Sequence, residues 1–318
     1  MRVFVAGAAG AVGQQLLPRL AAAGHQVTAA TKSPAKALRL RELGAEPVVV
    51  DGLDAMAVGE AVARARPDVV VHQMTSLAGA FDLRHFDRMF AVTNQLRTQG
   101  TDNLLAAAAA AGVRRFIAQS YTGWPNIREG GPVKTEDDPL DPNPPAAQRE
   151  TLAAIRHVER VVLAAAPVQG IVLRYGSFYG PGASDAFVGL IRKRRVPIIG
   201  DGAGVWSFLH IRDAAAATVA ALEHGRPGVY NVVDDEPAAV AEWLPFVARA
   251  VGAKPPLRVP AWLGRLAAGE AGVSMFTQIR GSSNTRAKRE LGWRPVWPSW
   301  REGFSRGLCD TEPVRGAA

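Results

Sequence analysis

Short apolar runs alternate with stretches of helical spacing through the first half of the chain. Arg2–Ala6 (RVFVA), 26–30, 46–50, Val69–His72, 115–120 and 171–174 read as strands. Between them, residues 14–23, 33–43, Ala55–Ala65, 97–111 and 150–166 carry apolar positions at helical spacing. Such alternation predicts a parallel sheet with helices on both faces, an α/β doubly wound fold. From Tyr175 the pattern changes. Gly, Pro and Trp increase, and the expected elements shorten: a helix over 213–223, a strand over 228–233, a helix over 243–251 and an apolar stretch over 262–278. Residues 123–145 are rich in Pro, Gly and Asp and too long for a plain connector, so they are expected to line a site.

The first strand runs into Gly7-Ala8-Ala9-Gly10-Ala11-Val12-Gly13 and then into a helix. Strand, glycine turn and helix is the setting that a dinucleotide motif requires. Gly7 permits the tight turn, Gly10 permits backbone to approach a pyrophosphate, and Gly13 permits close helix–strand packing. The free amides of Ala9, Ala11 and Val12 and the positive helix end then face the phosphates. After the second strand stand Thr31-Lys32-Ser33, where an NAD-selective site usually has an acidic residue. A cation and two hydroxyls suit a 2′-phosphate, hence NADP(H). After the third strand, Asp51-Gly52-Leu53 either holds the adenine amino group or forms a turn.

The chain has 318 residues, 48% hydrophobic, enough for one large or two small domains and against disorder. No apolar run reaches transmembrane length, and the N-terminus shows no cleavage pattern, so neither membrane nor export is expected. Cys309 is the only cysteine, which excludes an intrachain disulfide and fits the cytoplasm. The formal charge of +8 is spread along the chain apart from Arg192-Lys193-Arg194-Arg195. That run reads as a solvated helix end, with no nucleic-acid motif beside it. The six histidines show no metal-ligand spacing, so no metal is expected.

Taken together, the chain resembles the extended short-chain dehydrogenase/reductase family, the NAD-dependent epimerase/dehydratase group. Gly7–Gly13 matches its G-x-x-G-x-x-G. Val71-His72-Gln73-Met74 sits where the family has V-x-H-x-A. Residues 100–105 (GTDNLL) match G-T-x-N-L-L, and 173–182 (LRYGSFYGPG) are similar to L-R-x-x-x-V-Y-G-P-G. Ser207-Phe208-Leu209-His210 with Asp213 resembles F-V-H-V-x-D, and residues 291–295 match L-G-W-x-P. The resemblance implies a Rossmann domain over 1–174, joined by 205–235, with 175–318 mainly binding substrate. It also implies that Gln73, Met74, Tyr175, Gly176, Ser177 and Phe178 adjoin the cofactor, with Thr75 at the edge of the substrate site. It says little about substrate.

The departures bear on chemistry. Tyrosines stand only at 121, 175, 179 and 230, and no Tyr-x-x-x-Lys occurs. With Glu159 aligned to the family's downstream Glu, Thr151 and Ile155 fill the Tyr and Lys positions. Arg97 stands where an Asn is common, Tyr121 where the catalytic Ser or Thr lies, and Trp206 where an Arg often grips a nucleotide-sugar phosphate. An isolated Tyr stays protonated near neutral pH, with a pKa of about 10, so it suits donation to a carbonyl oxygen better than removal of an alcohol proton. Tyr121, flanked by Ser120 and Thr122, is the candidate donor; alternation along the strand end turns both neighbours away from its face. The competing reading packs Tyr121 under the 123–145 loop. Trp124, Phe178, Tyr179 and Trp206 each suit either an apolar substrate wall or ordinary core. His157 and His210 are possible acids or structural histidines. The expected activity is NADPH-dependent reduction of a carbonyl or conjugated double bond in a small hydrophobic or aromatic molecule. An NADP-binding sensor without turnover and a nucleotide-sugar epimerase or dehydratase are the alternatives. Oligomeric state is left open.

Overall fold

The computed structural model describes residues 1–77 and 82–308; Cys309 lies outside them. Seven parallel strands form the central sheet: β1 Arg2–Ala6, β2 Gln26–Thr31, β3 Glu46–Val49, β4 Val69–His72, β5 Arg115–Tyr121, β6 Gln169–Tyr175 and β7 Gly228–Val232. Their spatial order is β7-β6-β5-β4-β1-β2-β3. The strands read as near-continuous apolar runs because both faces are covered. On one face, Ala11–Ala22 and Ile211–His224 bury Leu16, Leu20, Ala214 and Ala217 against Val3, Val27, Val69 and Ile171. On the other, Ala55–Ala65, Thr101–Ala110 and Arg149–Leu163 bury Val58, Val62, Leu104, Ala108 and Val158 against Phe4, Val70 and Phe116. The alanine-rich helix Thr101–Ala110 places Ala107 and Ala108 in that layer, where the small side chains permit close approach.

Register aligns the strand ends that matter. Ala6 pairs with Ala30 on one side and His72 on the other. Chain order reverses at β1/β4, so their carboxyl ends open a crevice. Further along, Tyr121 pairs with Tyr175, which carries the sheet's edge toward the C-terminal region. There a second core gathers Trp124, Phe208, Trp243, Trp297, Trp300 and Phe304. β7 returns to the main sheet and pairs with β6 from Gly228–Ile171 to Val232–Tyr175.

Two expected elements differ. Residues 33–43 form a 3-10 turn, Pro34–Lys36, followed by a short helix, Ala37–Glu42. The expected helix 97–111 is broken: Leu96–Gly100 is a π-helical turn, and regular helix begins at Thr101. The short helices Phe86–Met89 and Ala91–Gln95 were not expected. The basic run 192–195 is exposed at the end of helix Asp185–Arg192. No helix among the described residues is long and apolar enough to cross a membrane.

Candidate active site

Two adjoining cavities share Thr75. The first, about 250 Å³, lies over the β1/β4 crevice and is lined by Gly7, Ala9, Gly10, Thr31, Asp51 and Gln73 among others. Gly7 has φ 81°, and a Cβ there would stand 2.5 Å from the Gln73 carbonyl oxygen, so only glycine lets the turn lie against β4. Gly13 packs on Ala8, whose carbonyl oxygen would be 2.1 Å from an added Cβ. The helix starts at Ala11 with Gly10 as its N-cap, so the amides of Ala11, Val12 and Gly13 are first-turn donors with no intrahelical acceptor. The Val12 side chain itself is buried in the core, which leaves only its backbone for a ligand.

The far wall is tied together by the Thr101 helix and the π-helical turn before it. Asn103 donates to the Gly52 carbonyl at 3.0 Å and Gln99 to the Leu53 carbonyl at 2.9 Å. An added Cβ at Gly52 would lie 2.3 Å from the Met74 sulfur, so Met74 and the 51–53 turn interlock. Asp51 accepts from the Leu53 amide at 3.1 Å and faces Lys32 Nζ at 3.5 Å. Its carboxylate therefore forms the turn and holds Lys32 while lining the cavity. Thr31, Lys32 and Ser33 line the same corner. Lys36 joins them, a residue the sequence reading missed; the 3-10 turn at 34–36 brings it round. Gln73 donates to the Tyr175 hydroxyl at 3.1 Å, while its Oε1 is buried without a protein partner. A glycine cradle, free helix-start amides, two lysines at one corner and a buried spare acceptor fit an anionic dinucleotide.

The second cavity, about 240 Å³, is apolar and aromatic, with Phe90, Arg97, Tyr121, Trp124, Phe178 and Trp206 in its wall. The Tyr121 hydroxyl lies 2.8 Å from Ser177 Oγ. Burial pushes the Tyr121 pKa above its ordinary value, so the phenol stays protonated. Tyr175 also reaches the cavity, and its hydroxyl is 2.7 Å from Thr218. Trp206 donates to the Met275 carbonyl at 2.9 Å, which fixes its ring.

Several expected site residues are placed elsewhere. Tyr179 is fully buried, stacked on Phe304 at 4.8 Å and edge-on to His210 at 5.1 Å. Gly303 makes that space: a Cβ there would be 2.1 Å from the ring. Tyr179 is thus core and not substrate wall. Thr122 is also turned away, 2.6 Å from Ser282 Oγ and 3.1 Å from Asn126. Ser120 adjoins the cavity but gives its hydroxyl to Glu159 at 2.8 Å. Gly176 donates its amide to Val232 and leaves room for the Ser207 carbonyl, 2.7 Å from an added Cβ. It serves packing. Of the 123–145 loop only Trp124 reaches this cavity; Asn126 bonds Ser282, and Arg128 pairs with Asp141 at 2.8 Å. His157 pairs with exposed Asp102, and buried His210 donates to the Gly307 carbonyl at 2.9 Å, its pKa lowered by burial to about 4.

On the helix where the family carries Tyr and Lys, Thr151 donates to Asp87 at 2.6 Å and accepts from Asn94 at 3.0 Å. Ile155 is buried among apolar neighbours. Neither side chain supplies the Tyr–Lys base on an alcohol. Groups of side chains able to hold a metal ion are absent among the described residues.

A doubly wound sheet with a glycine-turn groove at its switch point defines a dinucleotide-binding protein. The family model described as NAD dependent epimerase/dehydratase matches residues 3–233, and the chain belongs to that family. It is an oxidoreductase of the short-chain dehydrogenase/reductase superfamily, and its cofactor is a nicotinamide dinucleotide. A 3-diazoavenalumate denitrifying reductase from Streptomyces sp is 44% identical over 311 residues, 96% of this chain and 100% of that protein. A 2-alkyl-3-oxoalkanoate reductase from Stenotrophomonas maltophilia is 30% identical, covering 80% of this chain and 76% of the relative. Among solved structures, UDP-glucose 4-epimerase from Thermotoga maritima superposes with a TM-score of 0.75 at 22% identity, covering 97% of each chain.

Proposed function

We propose that the protein is an NADP(H)-preferring reductase of a small aromatic molecule bound in the Tyr121–Trp206 cavity. When bound, the cofactor supplies hydride. The observation that carries this reading is an aromatic cavity joined to the dinucleotide groove at Thr75, with a protonated tyrosine in its wall and no Tyr–Lys pair. Gly10 and the first-turn amides would hold the pyrophosphate, the 51–53 turn the adenosine, and Lys32 with Lys36 the 2′-phosphate. Tyr121 would donate its proton to a carbonyl oxygen as that oxygen gains charge, with Ser177 beside it as the next hydroxyl. The Trp206 position offers no cation to a nucleotide-sugar phosphate, which disfavours epimerase or dehydratase work.

A second reading concerns the group reduced. The 44% identical relative is named for denitrifying reduction of a diazo compound. An arenediazonium group that receives hydride leaves as N2, and a C–H bond stands where C–N was. Charge and hydrogen balance without an added proton, so Tyr121 would be dispensable there. The test is cofactor oxidation, followed by absorbance, with a panel of aryl ketones, enones, quinones and arenediazonium ions, using NADPH and NADH in parallel. Turnover of one class with NADPH preferred supports the proposal. Tight NADPH binding with no turnover of any class supports the sensor alternative instead.

A further inference from the structure

One group in the aromatic cavity has no role in the reading above. Arg97 is 8% exposed, lines that cavity, and has Nε and Nη1 buried without a hydrogen-bond partner. Its guanidinium carbon lies 5.8 Å from the centre of the Phe90 ring. No ion pair to Arg97 is present among the described residues. The titratable groups that feel its charge are Tyr121 and His72. Burial holds the first protonated and lowers the second to about 4, so both are neutral at neutral pH. Burial also lowers Arg97 itself, to about 10, which still leaves it a cation.

The backbone explains its aim. In the π-helical turn Leu96–Gly100 the two leading side chains part company. Leu96 enters the dinucleotide groove and Arg97 the aromatic cavity. Turns of this kind cluster at functional sites because they redirect one side chain without ending the helix. The molecule also shows what a satisfied buried arginine looks like. Arg174 meets Glu159 through two bonds of 2.7 and 2.6 Å. A buried charge left unpaired is expensive, and such a charge facing a cavity marks the place of an anionic partner.

We infer that Arg97 is the anchor for a carboxylate carried by the substrate, so that the cavity selects aromatic acids over neutral aromatics. The charged, planar guanidinium of Arg97 suits a charge-assisted hydrogen bond to a carboxylate. The apolar walls formed by Phe90, Trp124, Phe178 and Trp206 would take the ring. The position of Arg97 in the same wall as Tyr121 lets one molecule present its acid to one and its reducible group to the other. This assignment rests on the reading of that cavity as the substrate site.

The test is binding, not turnover. Cinnamate and methyl cinnamate are titrated calorimetrically into the NADPH-loaded protein, its Arg97→Met variant and its Arg97→Lys variant. The native protein should bind the acid about 10- to 100-fold more tightly than the ester, the worth of one charge-assisted pair at a buried site. Arg97→Met should erase that difference and leave NADPH affinity unchanged. Arg97→Lys should retain part of the difference, since it keeps the charge but not the fork. In the free protein Arg97→Met should unfold at the same or a higher temperature, whereas a merely structural arginine would leave it less stable. Equal binding of acid and ester by the native protein, no detectable binding of cinnamate, or a preference for the acid that survives Arg97→Met would each overturn the assignment. A preference for acids without reduction of any substrate would preserve the anchor and sink the reductase. Reduction of neutral aryl ketones with no preference for acids would do the reverse.

Discussion

The two cavities meet at Thr75, yet they are built on different principles. The dinucleotide groove turns on backbone, the Gly7–Gly10 turn, the first amides of the Ala11 helix and the 51–53 turn, with side chains such as Lys32 and Gln73 at its edges. The aromatic cavity is made of side chains from distant parts of the chain, Arg97, Tyr121, Phe178, Trp206 and Phe304 among them. A backbone site dictates local sequence, because only glycine fits where backbone lies against backbone. A side-chain site asks only for suitable groups on elements that the fold brings together. The groove therefore resembles that of its family while the pocket departs from it.

The strongest way to sharpen that contrast is Tyr121→Phe, which keeps the ring and deletes the hydroxyl. Loss of a working proton donor costs on the order of 100- to 10,000-fold in rate. That loss is expected for a carbonyl substrate, with cofactor affinity unchanged; a variant within a few-fold of the parent on a ketone would remove Tyr121 from the mechanism. The pH profile offers a check without mutation. The donor is the protonated phenol, and burial raises its pKa. The proton-dependent rate should stay flat from neutral pH and fall only beyond the ordinary tyrosine value of about 10. A decline well below that value would point to another acid.

The next effect concerns stability and separates the two buried arginines. Glu159→Gln leaves Arg174 buried without its counter-charge and should cost about 3–5 kcal/mol in denaturant unfolding. Arg97→Met should cost nothing comparable, because Arg97 meets no carboxylate among the described residues. Equal losses would erase the distinction between a structural and a ligand-facing arginine.

A smaller effect tests the groove. The Lys32 side chain is 74% exposed and 3.5 Å from Asp51, so its charge is screened and partly engaged. Lys32→Ala should weaken NADPH binding by about 1 kcal/mol, the worth of an exposed pair, and leave NADH nearly unaffected. Adding Lys36→Ala should widen the gap; equal affinities for both cofactors in the parent protein would refute the preference. Trp206→Phe should act least, raising KM for the aromatic substrate severalfold with no change in cofactor affinity. A shift in NADPH affinity instead would mean that the two cavities are not separable.

The sequence by itself determined the sheet, the groove and the missing Tyr–Lys pair. Each follows from neighbouring residues: apolar runs of strand length, glycines at fixed offsets, and an absent side chain at a stated spacing. Only the tertiary structure distinguished Tyr121, facing a cavity, from Tyr179, sealed beneath Gly303 and Phe304. Both are tyrosines beside family-like motifs, and nothing local says which ring will be covered. Arg97 was legible only as a departure from the family's Asn. Its significance needed the π-helical turn that aims it and the lack of an acid partner among the described residues. Those are properties of packing between segments far apart in the chain, and local sequence carries no record of them.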